Sequence, residues 1–502
     1  MAGTPRPAVA IGCSLALALT GVSIVPRAGA APPGPIELKV LEFNVEYGGI
    51  HVSWAKTLRV IRRSDADVVG IEEAQGHTAR LARDAEYPYF SPRLQVLSRF
   101  PIVDPPGADG IYVFIEVEPG RVVAVENVHL PSNPYGPFRV KQGATRSEVL
   151  ALERRLRLPA IRPSLRAARS LAEQGIPVFL VGDFNAPSWR DWTPEMVGAR
   201  YQIRYPVRWP VSLAVERAGF VDSYRSVHPD PVRDPGLTWW AARPDVPGWD
   251  PGAYAPQDRI DFVYASEATE PTGSEILGEN GSEIADITVR PWPSDHRAVV
   301  STFTVTPGEI PPLVAVQRRL VTVGSELVTS FHAAGTDAGS IAISPAGGDP
   351  ATDAIAEQPT GGTLDGELAF PTDAFAPGAY EAILLDGGIE VSRVAFWLKL
   401  PGTGPEVSTG SDTYGVGEPI AVHWSNARGE RWDWIGVYRR HRDPHVASYL
   451  LWVYTRATVE GSTVLDERAN GRFPLGAGRY SVYLLRDDGY AKMAAADFTI
   501  VG

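Results

Sequence analysis

The chain has 502 residues, with 45 prolines, 49 glycines, a single cysteine and a net charge of −12. This length predicts two to four domains, because single domains rarely exceed about 250 residues. A single cysteine excludes an intramolecular disulfide and any metal site built on clustered cysteines. The acidic charge excludes a large cationic field for gripping nucleic acid, although a local basic patch or metal ions can still bind it.

The first thirty residues have the pattern of a secretory signal peptide. Arg6 provides a positive start, residues 7–26 carry no charge and are largely apolar, and Ala-Gly-Ala at 28–30 offers a cleavage site. The alternative is an uncleaved signal anchor, because the apolar run is nearly long enough to span a bilayer. We expect cleavage and secretion, which would remove Cys13.

Two stretches rich in proline and glycine, 306–312 and 401–405, interrupt the rest of the chain. They predict one domain over 36–306 and two smaller domains over 313–400 and 406–502.

The two smaller domains form an internal repeat. Ala-Pro-Gly-Ala-Tyr at 376–380 matches Gly-Ala-Gly-Arg-Tyr at 476–480, and an apolar run follows each. Short alternating runs between glycine and proline turns predict two Ig-like β-sandwich domains.

The first domain alternates strand and helix patterns. The predicted elements are a strand over 36–43, a helix through 54–61, strands over 67–71, 111–117 and 122–130, helices over 146–158 and 164–174, and a strand over 177–182. Such alternation predicts an α/β domain.

Polar residues follow several of these strands. They are Asn44, Glu73, His129, Asp183 and Asn185, followed later by Asp261, Asp295 and His296. Each alone is more commonly a turn residue or a solvated group. Their shared position at strand ends of one α/β domain, where sites tend to be built, favours a common site.

Seven segments carry these residues in a fixed order: VLEFNVEYGG, DVVGIEEAQ, QVLSRFPI, ENVHLP, VGDFNAPS, RIDFVY and WPSDHRAVV. Together they resemble the endonuclease/exonuclease/phosphatase superfamily, which has the deoxyribonuclease I-like fold. The resemblance covers 36–306 and implies a four-layer α/β sandwich, with two packed β-sheets flanked by helices. It also implies hydrolysis of phosphoric esters with a divalent cation, usually Mg²⁺, with Mn²⁺ or Ca²⁺ as alternatives.

The resemblance implies a metal site. Glu73 matches the principal acidic ligand, Asn44 matches an amide that ligates or positions the ion, and Asp295 belongs to the terminal Asp-His pair. Glu72 stands where the family often has Gln, so we treat it as a neighbour. Because Mg²⁺ keeps several waters, the two carboxylates of Glu73 and Asp295 suffice.

The resemblance also implies catalytic roles. His129 and Asn185 match groups that contact the phosphoryl oxygens, and Asp183 helps to orient the attacking water. We expect His296 to act as the base, oriented by Asp261, with Asp183 as the alternative base. A serine triad at Ser294 is disfavoured, because neighbouring residues of an extended segment point to opposite sides.

Substrate-binding residues are harder to identify. Arg139 and Lys141 lie close after His129 and are the best candidates for phosphate contacts, whereas the arginine-rich region over 154–169 fits a solvated helix face better. Aromatic residues in the loops near the site can stack bases, contact lipid head groups or simply pack. The segment 432–438 is similar to the SKICH module found beside some phosphoesterases, which implies a protein, cell-surface or membrane contact.

The sequence therefore predicts a secreted, metal-dependent phosphodiesterase, with a nuclease as the first choice and nucleic acid favoured over lipid. The alternatives are a sphingomyelin or phospholipid head-group phosphodiesterase and an inositol or sugar phosphatase. A non-enzymatic alternative is an adhesion protein on a retired enzyme scaffold, which the complete polar set disfavours. No obligate protein partner is predicted.

Overall fold

The computed structural model describes residues 34–243, 256–279 and 285–502. The expected signal peptide and Cys13 lie outside the described residues. Pro35–Gly502 form one unit. Within the described ranges, the helices are too short or too polar for any of them to cross a membrane.

The first part of the chain alternates strands and helices as predicted. Its strands are β1 (Ile36–Asn44), β2 (Val68–Glu72), β3 (Tyr89–Ser91), β4 (Val96–Ser98), β5 (Ile102–Val103), β6 (Val113–Glu118), β7 (Arg121–His129), β8 (Val178–Asp183), β9 (Phe220–Asp222), β10 (Asp261–Ser266), β11 (Thr269–Gly278), β12 (Ile287–Thr288), β13 (Ala298–Val305) and β14 (Gly308–Glu309). Its helices are α1 (Trp54–Ser64), α2 (Thr78–Ala85), α3 (Gly136–Lys141), α4 (Arg146–Arg155), α5 (Arg157–Glu173), α6 (Pro210–Arg217) and α7 (Ser223–Val227), with 3₁₀ turns at Tyr47–Gly49 and Pro194–Met196.

Two seven-stranded sheets pack face to face in this part. The first has the order β12-β11-β13-β1-β2-β4-β3, and the second has β5-β6-β7-β8-β10-β9 with β14 beside β7. Val40 and Val68 of the first sheet share a buried core with Val123 and Phe179 of the second. Helices α1 and α2 cover the outer face of the first sheet, while α5 and α6 cover that of the second. The predicted four-layer α/β sandwich is confirmed.

Strand pairing brings the polar strand ends together. β1 runs parallel to β2, and β7 runs parallel to β8 with His129 opposite Asp183. β10 is antiparallel to β8, which places Asp261 opposite Asp183 as well. The register of three strands therefore fixes three of the predicted site residues at one edge of the second sheet.

The start of helix α5 differs from the prediction. We predicted a helix from residue 164, but α5 begins at Arg157 and contains Pro163. Arg157 is buried, pairs with Glu153 at 2.6 Å and donates to the carbonyl oxygens of Ser132 and Pro134. These contacts compensate for the backbone hydrogen bond that Pro163 removes from the helix. The predicted start at residue 164 was therefore wrong.

Two β-sandwiches follow, as predicted. The first contains β15 (Leu313–Val316), β16 (Leu320–Thr322), β17 (Glu326–His332), β18 (Gly339–Pro345), α8 (Pro350–Asp353), β19 (Ala356–Pro359), β20 (Asp365–Pro371), β21 (Gly378–Asp386) and β22 (Ile389–Lys399). The second contains β23 (Glu406–Thr409), β24 (Thr413–Gly415), β25 (Ile420–Ser425), β26 (Trp434–Arg439), β27 (Leu451–Tyr454), β28 (Gly461–Leu465), β29 (Asn470–Gly471), β30 (Gly478–Leu485) and β31 (Lys492–Val501).

Each sandwich pairs a three-stranded sheet with a larger one: β15-β17-β20 with β16-β22-β21-β18-β19, and β23-β25-β28 with β24-β31-β30-β26-β27-β29. The repeat seen in the sequence has a shared structural cause. The Tyr380 hydroxyl donates to the carbonyl of Ala376 at 2.8 Å, and the Tyr480 hydroxyl donates to that of Gly476 at 2.6 Å. The same bond fixes the entry to β21 and to β30.

The second sandwich docks on the first domain. The guanidinium of Arg431 donates to the carbonyl of Ile111 at 2.9 Å, and its main-chain nitrogen donates to the carbonyl of Arg93 at 3.0 Å. Burial lowers the pKa of Arg431 to about 10, although Glu126 opposes that shift. A buried guanidinium is normally paired, so this contact indicates a fixed interface.

Candidate functional site

Asn44 links the two sheets at the site. Its amide nitrogen lies 3.4 Å from Oε1 of Glu73 and 3.3 Å from Oδ2 of Asp183, while its oxygen accepts from the main-chain nitrogen of Glu46 at 3.1 Å. Asn44 is the last residue of β1, and its side chain is fully buried. One amide thus holds a carboxylate from each sheet.

Glu73 leaves β2 in a left-handed backbone conformation with a φ of 57°. Its Oε2 accepts from the main-chain nitrogen of Tyr47 at 3.2 Å. Burial raises the pKa of Glu73, His129 lowers it, and the nearby charge of Asp295 raises it again. Non-glycine residues with positive φ are uncommon and concentrate at functional sites.

A cavity of about 350 Å³ opens beside Glu73. Its lining is made of acidic and aromatic side chains, with one histidine: Glu46, Tyr47, His51, Glu73, Trp239, Trp240 and Asp295. Burial raises the pKa of Glu46 to about 7, and Asp295 contributes to that shift even though Arg243 opposes it.

The donor set around this cavity fits a hard divalent cation. Three carboxylates face one space, and the negative charge of Asp295 raises the pKa of both Glu46 and Glu73. Such mutual repulsion is relieved by a cation, and carboxylate and amide oxygens are the ligands that Mg²⁺ prefers. Glu73 and Asp295, with Asn44 behind them, are placed to hold it.

His296 and Asp261 form a buried pair. Nδ1 of His296 lies 2.9 Å from Oδ1 of Asp261, and its Nε2 lies 3.8 Å from Oδ2 of Asp183. Burial lowers the pKa of His296, but the charges of Asp261, Asp295 and Asp183 outweigh it and raise that pKa well above its ordinary value. These carboxylates favour the charged form of His296, which can donate from Nε2.

Asp183 lies at the centre of the cluster. It accepts from the main-chain nitrogen of Asn185 at 2.8 Å and from the side-chain amide of Asn185 at 3.0 Å. Burial raises the pKa of Asp183 to about 6, and Asp261 adds to the shift, whereas His296 and His129 oppose it. Asp183 is thus ionised at neutral pH, and its pKa is near enough to neutrality for it to accept a proton there.

A glycine fixes the approach to Asp183. Gly182 has a φ of +136°, and a Cβ on it would lie 1.9 Å from the carbonyl oxygen of Val128. No side chain fits there, so β7 and β8 can run close together immediately before His129 and Asp183.

Asn185 has both amide hydrogens engaged, because it also donates to the carbonyl of Leu130 at 3.0 Å. It therefore orients Asp183 in this structure. Its predicted bond to a phosphoryl oxygen stays a prediction and would require an exchange of partners.

His129 lies between two carboxylates. Its Nε2 is 3.5 Å from Oδ2 of Asp183, and its Nδ1 is 2.6 Å from Oδ2 of Asp488. Burial lowers the pKa of His129, but Asp488, Asp183 and Glu73 outweigh that effect and raise it to about 10. The charged ring is suited to donate to an anionic group.

A second set of potential ligands is Asp183, Asp261 and His296, which offer one atom each within 4.8 Å of one another. The Nδ1 of His296 is already bonded to Asp261, and all three side chains are buried. The open cavity at Glu73 and Asp295 is the better position for a hydrated ion, since Mg²⁺ keeps several waters.

Two further acids lie beneath the site. The carboxylate oxygens of Glu42 and Glu72 are buried and have no hydrogen-bond partner within the described part of the chain. Burial raises the pKa of Glu72 to about 8, the charges of Asp183 and Asp261 add to that shift, and the charge of His129 opposes it. Glu72 is thus an interior neighbour of Glu73, and of these two residues only Glu73 lines the cavity.

Other candidates lie to the side or serve the scaffold. Arg139 donates to Gln142 at 3.2 Å, and Nζ of Lys141 lies 5.3 Å from the Tyr201 ring. Both lie on α3, neither lines the cavity, and their substrate contact stays a prediction. Ser294 is buried and donates to the carbonyl of Asn44 at 2.7 Å, which ties the terminal Asp-His segment to β1.

Sequence reasoning missed three residues at the site. Glu46 lies two positions after Asn44, so its place just beyond β1 was a signal that the sequence did offer. Trp239 donates to Oδ2 of Asp295 at 3.2 Å, and no local pattern distinguishes it from a packed aromatic. Asp488 belongs to the last sandwich, so no signal within the first domain could have identified it.

Comparison with known proteins places this geometry in a family. A model described as the endonuclease/exonuclease/phosphatase family matches residues 42–296. The uncharacterized protein F14F9.5 of Caenorhabditis elegans is 27% identical over 299 residues, which are 53% of this chain and 91% of that protein.

Two solved structures each cover about half of the chain. D. rerio TDP2 complexed with single strand DNA product is 14% identical with a TM-score of 0.31, over 53% of this chain and 98% of that chain. An AP endonuclease from Archaeoglobus fulgidus is 15% identical with a TM-score of 0.33, again over 53% and 98%. With the matched segment holding all eight clustered polar residues, the chain belongs to the endonuclease/exonuclease/phosphatase family.

Proposed function

We propose that this protein is a secreted, divalent-metal-dependent phosphodiesterase that cleaves nucleic acid. The observation that carries the proposal is the convergence of Asn44, Glu73 and Asp183 across two sheets, beside a cavity lined by acids. An adhesion protein on a retired scaffold would not be expected to keep this complete set of polar contacts.

Glu73 and Asp295, with Asn44, would hold the cation, and Mg²⁺ is the favoured ion. When bound, it would neutralise charge that develops on the phosphoryl oxygens. Both carboxylates are oriented before substrate binds. The main-chain nitrogen of Tyr47 donates to Glu73, and the indole nitrogen of Trp239 donates to Asp295.

The protonation states favour Asp183 as the base that accepts a proton from water. Its pKa of about 6 leaves it ionised at neutral pH, while the carboxylates around His296 raise the pKa of that ring and favour its charged form. We therefore prefer Asp183 to His296, which the sequence had favoured as the base. His296 then donates a hydrogen bond from Nε2 toward the reacting group.

His129 supplies a second charged donor. Its Nε2 faces Asp183 at 3.5 Å, so a phosphoryl oxygen placed between the two histidines would receive hydrogen bonds from both. Fixed donors of this type stabilise transition-state charge, and the loss of one typically costs about 10²–10³ in rate.

The aromatic lining supports nucleic acid as the substrate. Tyr47 is 47% exposed, and Trp239 and Trp240 line the same cavity as Glu73. Aromatic faces stack on bases without sequence preference, and each stack is worth about 1–3 kcal/mol. The same faces fit the quaternary ammonium of a choline head group, so a choline lipid is the second candidate.

A substrate panel tests the proposal. The full chain is incubated with plasmid DNA, single-stranded DNA, RNA, sphingomyelin vesicles and bis(p-nitrophenyl) phosphate, with Mg²⁺ or with EDTA. We expect Mg²⁺-dependent cleavage of at least one nucleic acid, abolished by EDTA. Cleavage of sphingomyelin alone would move the assignment to the choline lipid, and no turnover of any diester would overturn it.

Secretion has a separate test. Expressed in a bacterial host with an active general secretory pathway, the protein is collected from outside the cytoplasm and its N-terminus is sequenced. We expect Ala31 as the first residue. Retention of residues 1–30 would support the signal anchor instead.

A further inference from the structure

The last β-sandwich brings a carboxylate into contact with the site of the first domain. Oδ2 of Asp488 lies 2.6 Å from Nδ1 of His129, although the two residues are 359 positions apart. Their side chains are 11% and 12% exposed. Water therefore competes weakly for this contact, and a charge-assisted bond of this length is a strong one.

The turn that carries Asp488 has an unusual composition. It connects β30 to β31, and the Gly489 nitrogen donates to the carbonyl of Arg486 at 2.7 Å. The two central residues, Asp487 and Asp488, have φ values of 49° and 60°. Glycine is the usual residue at the second of these positions, so the turn with Asp488 in that place is held by contacts outside the turn.

Asp487 makes such contacts with the first domain. Asp487 accepts from the side-chain amide of Gln95 at 2.6 Å and from the main-chain nitrogen of Gly76 at 2.6 Å. The second oxygen of Asp488 accepts from the Tyr454 hydroxyl at 2.6 Å. Asp487 thus docks the turn, and Tyr454 leaves Asp488 with one oxygen for His129.

The bond decides which face His129 offers to the site. A carboxylate only accepts hydrogen bonds, so Nδ1 of His129 carries the proton. The ring is then held with Nε2 toward Asp183, at 3.5 Å. A histidine whose second nitrogen is bonded to a carboxylate has a set ring orientation.

We propose that Asp488 is a positioning residue of the hydrolytic site, which it serves by fixing the ring of His129. The last β-sandwich is therefore part of the active site of this chain. The catalytic task assigned to His129 rests on the proposed function, whereas the contact with Asp488 does not.

Steady-state kinetics of the full chain test the role of Asp488. We expect Asp488→Asn to lower kcat roughly 10- to 100-fold, the range typical of lost orienting partners, with a much smaller change in KM. In a double-mutant cycle with His129→Gln, Asp488→Asn should add little further loss, because it acts through His129. Additive losses, or a kcat unchanged by Asp488→Asn, would overturn the proposal.

Two control variants separate positioning from docking. Asp497→Asn removes a His-Asp pair of the same sandwich, formed with His441 at 2.8 Å, and should leave kcat unchanged. Asp487→Asn weakens the docking of the turn but keeps Asp488, so it should lower kcat less than Asp488→Asn does. A greater loss from Asp487→Asn would show that docking alone matters.

Nitrogen NMR of the metal-free full chain supplies a readout independent of turnover. With ¹⁵N-labelled histidine, the resonances of His129 are identified by their loss in His129→Gln. We expect Asp488→Asn to shift the Nδ1 resonance and Asp497→Asn to leave it in place. An unshifted Nδ1 resonance overturns the inference, whatever the activity. A shifted resonance in a protein that cleaves no diester upholds the contact and rejects the proposed function.

Discussion

Nδ1 of His296 lies 2.9 Å from Oδ1 of Asp261, in a pair formed by residues 35 positions apart. Both side chains are buried, so the carboxylate sets the orientation of the ring. We expect Asp261→Asn to lower kcat by about 10- to 100-fold, because the amide neither favours the charged form of His296 nor holds its ring as firmly. Steady-state kinetics on a chromogenic diester measure the loss.

Asp365→Asn is the matched control for this variant, because Asp365 accepts from His332 in the first sandwich. It should retain the kcat of the unmodified chain. A kcat for Asp261→Asn within a factor of about three of that value would reject the orienting role.

The pKa values predict a bell-shaped dependence of kcat on pH. Asp183 must be ionised to accept a proton, and burial raises its pKa to about 6. Activity should therefore fall as the pH drops through about 6, and it should fall again near pH 10, where His129 loses its proton. The profile is measured at saturating Mg²⁺, and a flat response between about pH 5 and 7 would contradict Asp183 as the base.

Glu73 should control the affinity for the metal. It lines the acidic cavity, so Glu73→Gln removes one negative charge from the site. We expect Mg²⁺ to bind at least about 10-fold more weakly, as measured by calorimetric titration, because carboxylates are its main protein ligands. The control is Glu309→Gln, at an exposed residue paired with Arg121, which should bind Mg²⁺ like the unmodified chain. Equal affinity of the two variants for Mg²⁺ would contradict the role of Glu73 as a metal ligand.

The buried Glu72 should make stability depend on pH. Burial raises its folded pKa from the ordinary 4.5 to about 8, so the folded state binds a proton more tightly than the unfolded state. This contribution is complete below about pH 4.5 and is lost as the pH rises through about 8. Glu72→Gln should therefore reduce the loss of unfolding free energy between pH 5 and pH 9 by up to about 4 kcal/mol, at 1.36 kcal/mol for each of the roughly three units between pH 5 and pH 8.

Urea titrations at the two pH values measure this difference. Glu37→Gln is the control, since Glu37 lies on the neighbouring strand β1 and is exposed. It should show the pH dependence of the unmodified chain. The same dependence in Glu72→Gln would contradict a buried, proton-binding Glu72.

Much of the first domain was predictable because its elements are local. Short apolar patterns in the sequence predict the strand that ends at Asp183 and the helix that begins at Trp54. The polar residues at the strand ends converge because of the register of the sheets. The late start predicted for α5 was wrong because Pro163 is a local signal, whereas the anchor at Arg157 depends on distant carbonyl groups.

The rest of the site depends on contacts between distant segments. Asp488 meets His129 only after the last sandwich docks, and the turn that holds it looks like any surface turn in the sequence. Glu42 likewise reads as an ordinary polar residue of a strand, and only the packing of the two sheets shows that it is buried.

Anomalous diffraction from a crystal grown with Mn²⁺ tests the central claim most directly, because it locates the cation among the converging side chains. The account predicts one strong anomalous peak within about 2.0–2.3 Å of carboxylate oxygens of Glu73 and Asp295, a distance range set by the size of such ions. A peak at a different set of residues, or no peak at these two carboxylates under saturating Mn²⁺, would contradict it.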